Sequence, residues 1–288
     1  VRAHDHGPFQ RIGKLFDHNA SARAVIFLKG MLRAIGLGAI LSLSLLSAPA
    51  DLKQALSLFN SGKYQDCYRE LTAYVQQNPE SGPAYKVLGM TEFMLGRPEQ
   101  ARDHLILAST LAPKDAESFY YLGRLYFTAD NVIAAISAYQ KAIEIDPSSV
   151  RVQNQLGQSF EALGRDREAE DAYRKAIGLQ QSQSKKSEWP YYNLALLCFH
   201  NGKREEAIAN FRLALVCNPN FANAKVKLAV ALADERQADE AERLLRDAIR
   251  SDATNAEAHY RLAILLKKAG KQEEAQQQFA LFDQSQKR

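Results

Sequence analysis

The chain has 288 residues, 46% apolar and 24% charged, the make-up of ordinary folded protein, and with no Gly-rich phosphate loop and no strand-like alternation it need not be one globule. Its formal charge of +4 resides in residues 1–50, where Arg2, Arg11, Lys14, Arg23, Lys29 and Arg33 face Asp5 and Asp17, while the remaining 31 basic and 31 acidic residues cancel. Such a balanced body offers no clustered positive field to displace counterions, which argues against nucleic acid as a partner.

The basic start leads into MLRAIGLGAILSLSLLSAPA at 31–50, which carries Arg33 and then no charge until Asp51. Ala34 to Leu46 forms an apolar core, and Ala48 and Ala50 supply the small side chains of a cleavage site before Asp51, so 31–50 is expected to be a signal peptide. It is short for a bilayer span; a retained anchor, which would bring the chain to a membrane, is the alternative. Met31 would serve as an initiator, leaving 1–30 as an N-terminal extension in which His4, Asp5 and His6 have no further ligand to close a metal site. The expected location is therefore exported, periplasmic or extracellular.

From residue 51 onward the chain repeats. Pro79, Pro113 and Pro147 stand 34 residues apart, and starts near 48, 82, 116, 150, 188, 222 and 256 align seven units of two helices each. Small residues recur at the eighth, twentieth and twenty-seventh places, as in Gly89, Ala101, Ala108 and Gly123, Ala135, Ala142, where a larger side chain would push a helix pair apart. Gly62, Gly96, Gly164, Gly202 and Gly270 allow the reversal after each first helix, and Asp-Pro or Asn-Pro pairs end the second. Four extra residues within QQSQSKKSE precede Trp189, and Gln181 and Ala253 stand where a terminal proline is expected, so a looser joint near 178–188 is expected to divide four repeats from three. The last unit carries Gln276, Asp283 and Ser285 at places that are apolar in the interior, the polar outer face expected of a terminal repeat; the array is expected to stop there.

Leu-Gly, Tyr or Phe, Ala, Tyr or Phe, Ala and Pro at their spacing in AYKVLGMTEFMLGRPEQARDHLILASTLAP, and again in the unit from Ala116, resemble the tetratricopeptide repeat family across 51–288. The resemblance implies an all-α, right-handed superhelical solenoid whose first helices line a concave groove for a protein or peptide partner. No cofactor is implied. An electrostatic clamp on a partner's C-terminal carboxylate, known in chaperone adaptors of the family, would draw on Asn154, Gln158, Asn193, Asn223 and Lys227, of which Asn193 fits outright and Lys227 partly.

Catalysis is not expected. His104, His200 and His259 are scattered, His259 occupies a place usually aromatic in the family, and Glu205/Glu206 and Glu273/Glu274 are adjacent on a helix and cannot face one another across a substrate. Cys67, Cys198 and Cys217 make an odd count and read as small buried fillers. The expected function is a non-enzymatic interaction scaffold or assembly adaptor. Its partner site is expected at the groove-facing places: Met90 in the second repeat, Tyr120 and Phe127 in the third, and an apolar strip through repeats five to seven made by Tyr192, Leu196, Phe199, Val226, Val230, Tyr260 and Ile264. Asn154, Gln158 and Glu161 make repeat four a polar divider on this reading.

Overall fold

The computed structural model describes residues 51–234 and 237–286; the expected extension at 1–30 and the expected signal peptide or anchor at 31–50 lie outside the described residues. Among the described residues the fold is all-α, with fourteen helices forming seven helical hairpins. These are α1 (Leu52–Asn60) with α2 (Tyr64–Gln77), α3 (Gly82–Met94) with α4 (Pro98–Leu111), α5 (Ala116–Thr128) with α6 (Val132–Ile145), and α7 (Val150–Ala162) with α8 (Asp166–Leu179). The remaining three are α9 (Trp189–His200) with α10 (Arg204–Cys217), α11 (Ala222–Asp234) with α12 (Ala238–Ser251), and α13 (Ala256–Lys268) with α14 (Gln272–Ser285). First helices begin at Gly82, Ala116, Val150, Ala222 and Ala256, the starts expected from the spacing, and at Trp189, one residue beyond the expected start at 188. No described helix is long and apolar enough to cross a membrane.

Local chemistry sets these boundaries. Asp51, Asp115 and Asn255 cap α1, α5 and α13, each accepting a first-turn backbone N–H at 2.9 Å. The five turn glycines named above all take φ between 68° and 78°, the left-handed region that lets the chain reverse without a Cβ clash. In the third repeat Asp130 fills that role at φ 58°, an acceptable substitute because Asp tolerates this region better than most residues.

Compactness divides the chain into two units, Val1–Leu111 and Ala112–Arg288. In the first, Ala55, Cys67, Leu71, Ala84 and Leu88 close a core in which α3 meets α4 so tightly that a Cβ on Gly89 would stand 2.6 Å from Leu105 Cγ. In the second, Tyr139, Tyr173 and Phe211 occupy the same second-helix place in successive repeats and are wholly buried. A Cβ on Gly123 would overlap the Tyr139 ring and one on Gly157 the Tyr173 ring, which is why the eighth place is glycine there. Cys67 and Cys198 are buried and Cys217 half-buried, all as free thiols.

The expected joint near 178–188 falls inside the second unit, and two features tie it. The wholly buried Gln180 side chain donates to the Ser187 carbonyl at 3.0 Å and accepts from the Ser187 N–H at 2.8 Å, so both ends of the inserted run are held together. Across the same insertion, Lys203 reaches Glu170 at 2.8 Å and Arg174 reaches Glu206 at 2.6 Å. The second-helix layer continues this arrangement with Arg212–Glu240, Lys271–Glu242 and Arg246–Glu274. The hydrogen bond from Lys203, with Arg174 beside it, holds the Glu170 carboxyl below the usual range against the pull of partial burial.

Candidate functional site

The second unit carries a concavity of about 750 Å³ lined by first helices and by the inserted run. Tyr120, Arg124 and Phe127 project from α5, Arg151, Asn154 and Gln158 from α7, and Trp189 and Pro190 from the start of α9. The rest of the wall is the inserted run itself, which contributes Gln180, Gln183, Lys185, Lys186, Ser187 and Glu188.

Aromatic and charged side chains both line it. Tyr120 is buried beneath the Arg151 guanidinium, whose carbon lies 4.4 Å from the ring centroid, and Arg151 also bonds Glu117 at 3.1 Å. Trp189 is 45% exposed and stands edge-on to Tyr192 and Phe221, at centroid separations of 6.0 and 5.0 Å. Glu188 accepts from the Asn218 side chain at 3.0 Å. Lys186 lies near enough to Cys217 to oppose the burial that pushes that thiol up.

Asn154 and Asn193 join the first helices of repeats four and five through a buried bond in which Asn193 Nδ2 donates to Asn154 Oδ1 at 2.9 Å. Lys227 and Asn223 of the clamp set are likewise engaged within the protein. Lys227 Nζ is 2.8 Å from both Glu257 carboxylate oxygens, and Asn223 accepts from Asn255 at 3.2 Å.

The structure separates the residues of the expected groove. Tyr120 and Phe127 line the concavity, together with Asn154 and Gln158 from the expected polar divider. Met90 is buried in the core of the first unit. The strip through repeats five to seven is not a continuous surface: Tyr192 is buried under the Trp189, Phe211 and Phe221 rings, and Val226 is 1% exposed. Burial pushes the Tyr192 phenol up, and the Glu257 carboxylate adds to this. Leu196 and Phe199 are half-buried, and the Arg204 guanidinium lies 5.8 Å from the Phe199 centroid. Val230 and Ile264 do meet, in a cleft of about 100 Å³ flanked by Arg261 and Lys268. Tyr260 is 38% exposed and packs against Phe279 and Phe282 of its own repeat.

Arg124, Arg151, Lys185, Lys186 and Trp189 are the wall residues that sequence reasoning passed over. The signal for the lysines is the four-residue insertion, which the repeat spacing alone makes a looser joint and the fold makes a wall. Outside the wall, two histidines are held by internal bonds. His259 is buried with both ring nitrogens engaged, by Gln278 at 2.7 Å and the Ala253 carbonyl at 3.2 Å, and His104 bonds the buried Glu92 at 2.7 Å. No group of three or more His, Cys, Asp or Glu suited to a metal occurs among the described residues.

Models described as tetratricopeptide repeat match residues 52–116, 150–183, 190–220 and 244–277, and one described as TPR repeat matches 133–164; together they take in more than half of the chain. The peroxisomal targeting signal receptor of Saccharomyces cerevisiae is 31% identical over 106 residues, 37% of this chain and 17% of that protein. Small glutamine-rich tetratricopeptide repeat-containing protein 2 of Mycosarcoma maydis is 27% identical over 114 residues, 40% and 32% of the two chains. Human protein O-mannosyl-transferase TMTC3 is 22% identical over 239 residues, 76% of this chain and 26% of the relative. The chain thus spans between 17% and 32% of the length of these relatives. Among solved structures, Pseudomonas aeruginosa pilF superposes with a TM-score of 0.64 at 24% identity, covering 69% of this chain and 89% of that one. The Cut9–Hcn1 assembly of the APC/C gives 0.66 at 19% identity, covering 82% and 47%. At these identities the likenesses establish the fold.

Proposed function

Because the chain belongs to the tetratricopeptide repeat family, we propose that it is a non-enzymatic scaffold holding an extended segment of a partner protein on the first-helix face of repeats three to five. The observation that carries this reading is the concavity of about 750 Å³, a size typical of ligand sites, whereas the cleft at Val230 and Ile264, at about 100 Å³, holds little more than a side chain. Gln155 and Gln158 supply side-chain amides for a peptide backbone, Asn154 has its oxygen held by Asn193, and Phe127 and Trp189 supply apolar surface beside them. The yeast relative is named as a receptor for a targeting signal, which agrees in kind with a segment-binding role. The apolar run at 31–50 supports placing this scaffold outside the cytoplasm.

Photo-crosslinking from single positions tests the reading. A photoreactive residue at Gln158 should trap a discrete partner, while the same residue at Val230 or on the outer face at Arg167 should not. Trapping from Val230 with none from Gln158 would move the site to repeats five to seven.

A further inference from the structure

We infer that the inserted run between α8 and α9 makes this concavity a receptor for an internal acidic segment, one carrying closely spaced side-chain carboxylates, which rests on the scaffold reading above. The chain from 51 onward is charge-balanced, yet Arg124, Arg151, Lys185 and Lys186 converge on one concavity against the single carboxylate of Glu188. Glu188 is already engaged by Asn218, and Arg151 is shared with Glu117.

The two lysines are the departure. Along the second helices, basic side chains such as Arg174, Lys203, Arg246 and Lys271 each meet a carboxylate one repeat away. Lys185 and Lys186 meet none among the described salt bridges, although they sit on a run whose ends are fastened by Gln180 and Ser187. Both lysines are exposed, but they are adjacent on a run whose two ends are fastened and they face the same concavity as Arg124 and Arg151, so their charges add at one place where a carboxylate pair could sit. The cationic wall is confined to one concavity instead of a tract that would follow several phosphates, and side-chain amides line it, so a peptide fits better than a nucleic acid. The lysines come from an inter-repeat insertion and need no chain terminus in the ligand.

The probe is a short fluorescein-labelled, C-terminally amidated peptide, Gly-Ser-Glu-Glu-Phe-Glu-Glu-Ser-Gly, compared by anisotropy with its Gln-for-Glu twin and with labelled oligo-dT. The acidic peptide should bind at least about tenfold tighter than the twin, with affinity falling as salt rises. Joint Lys185→Glu and Lys186→Glu substitution should erase the preference without altering the circular dichroism, and joint Lys→Arg substitution should retain it. Equal binding of both peptides that Phe127→Ala still weakens would overturn the inference and leave the scaffold reading intact. Binding that neither change affects would remove both at this site. Binding of neither peptide, or preferential binding of oligo-dT, would overturn the acidic-segment inference.

Discussion

The Gln180 side-chain amide and the Ser187 backbone close a two-bond ring across the inserted run, with neither bond longer than 3.0 Å. Gln180→Ala removes both bonds from the half-buried Ser187 backbone and empties the buried Gln180 site, a loss of about 1 kcal/mol. Limited proteolysis should nick the exposed residues 181–186 in the parent protein and do so faster in the variant. Equal rates would mean that the pair does not restrain the loop.

The closeness of the helix pairs at Gly123 and Gly157 predicts that either glycine changed to Ala costs about 1–3 kcal/mol, because the new methyl overlaps the buried Tyr139 or Tyr173 ring. Urea denaturation should show a lower midpoint with the slope unchanged. An unmoved midpoint would show that the rings can retreat.

Two glycines of one repeat should respond with opposite signs. A Cβ would meet nothing within 4 Å at Gly164 or at Gly178, but Gly164 has φ 68° and Gly178 lies in ordinary helical backbone. Gly178→Ala should gain up to about 1 kcal/mol and Gly164→Ala should lose about 1–2 kcal/mol. Thermal melts of the two variants check the contrast, and shifts of the same sign would refute it.

Alkali should destabilise the second unit. Burial pushes the Cys198 thiol up to about 11, with Glu206 and Glu170 adding to it, and burial also raises the Tyr139 and Tyr173 phenols. Between pH of about 9 and 11 the unfolded chain therefore gives up a Cys198 proton that the folded chain keeps, so stability falls as pH rises. The urea midpoint should drop between about pH 8 and pH 10.5, and Cys198→Ala should lessen the drop. A midpoint constant over that range contradicts the assignment.

The proposed export makes a separate prediction. The first residue after the small-residue pair, Asp51, caps α1 by accepting the Lys53 N–H, so a cut before it leaves the first helix with its cap. Intact-mass measurement of the protein secreted by an expressing cell should place the N-terminus at Asp51, and recovery of a chain retaining 31–50 would favour the anchor.

Much of this architecture was legible because it depends on short-range rules. Glycine at the turns, proline after the second helices and small residues at crossing points each act within a hairpin, and they place six of the seven first-helix starts to within a residue, the first helix beginning at Leu52 instead of near 48. Exposure was less legible because it depends on the neighbouring repeat. Tyr192 and Tyr260 hold the same place, yet Tyr192 is covered by Phe221 from the turn ahead of the next repeat while Tyr260 keeps 38% of its surface. By its polarity Asn154 is a divider in sequence, whereas its bond to Asn193, 39 residues away, and the wall made by a folded-back insertion are set only by the tertiary fold.

The ion-pair layer has a bearing on synthesis as well as on stability. Glu170 and Glu242 hold one place in repeats four and six, Lys203 and Lys271 the matching place in repeats five and seven, and Arg174 with Arg246 and Glu206 with Glu274 repeat the rule. Repeat seven therefore presents to repeat four the same charges that repeat five does, and side-chain charge alone does not tell the correct neighbour from the decoy. The order in which the ribosome delivers the repeats does: repeat five emerges first and occupies the edge before its rival exists. Refolding the whole chain from denaturant lacks that order, and should pass through a mispaired species that synthesis avoids.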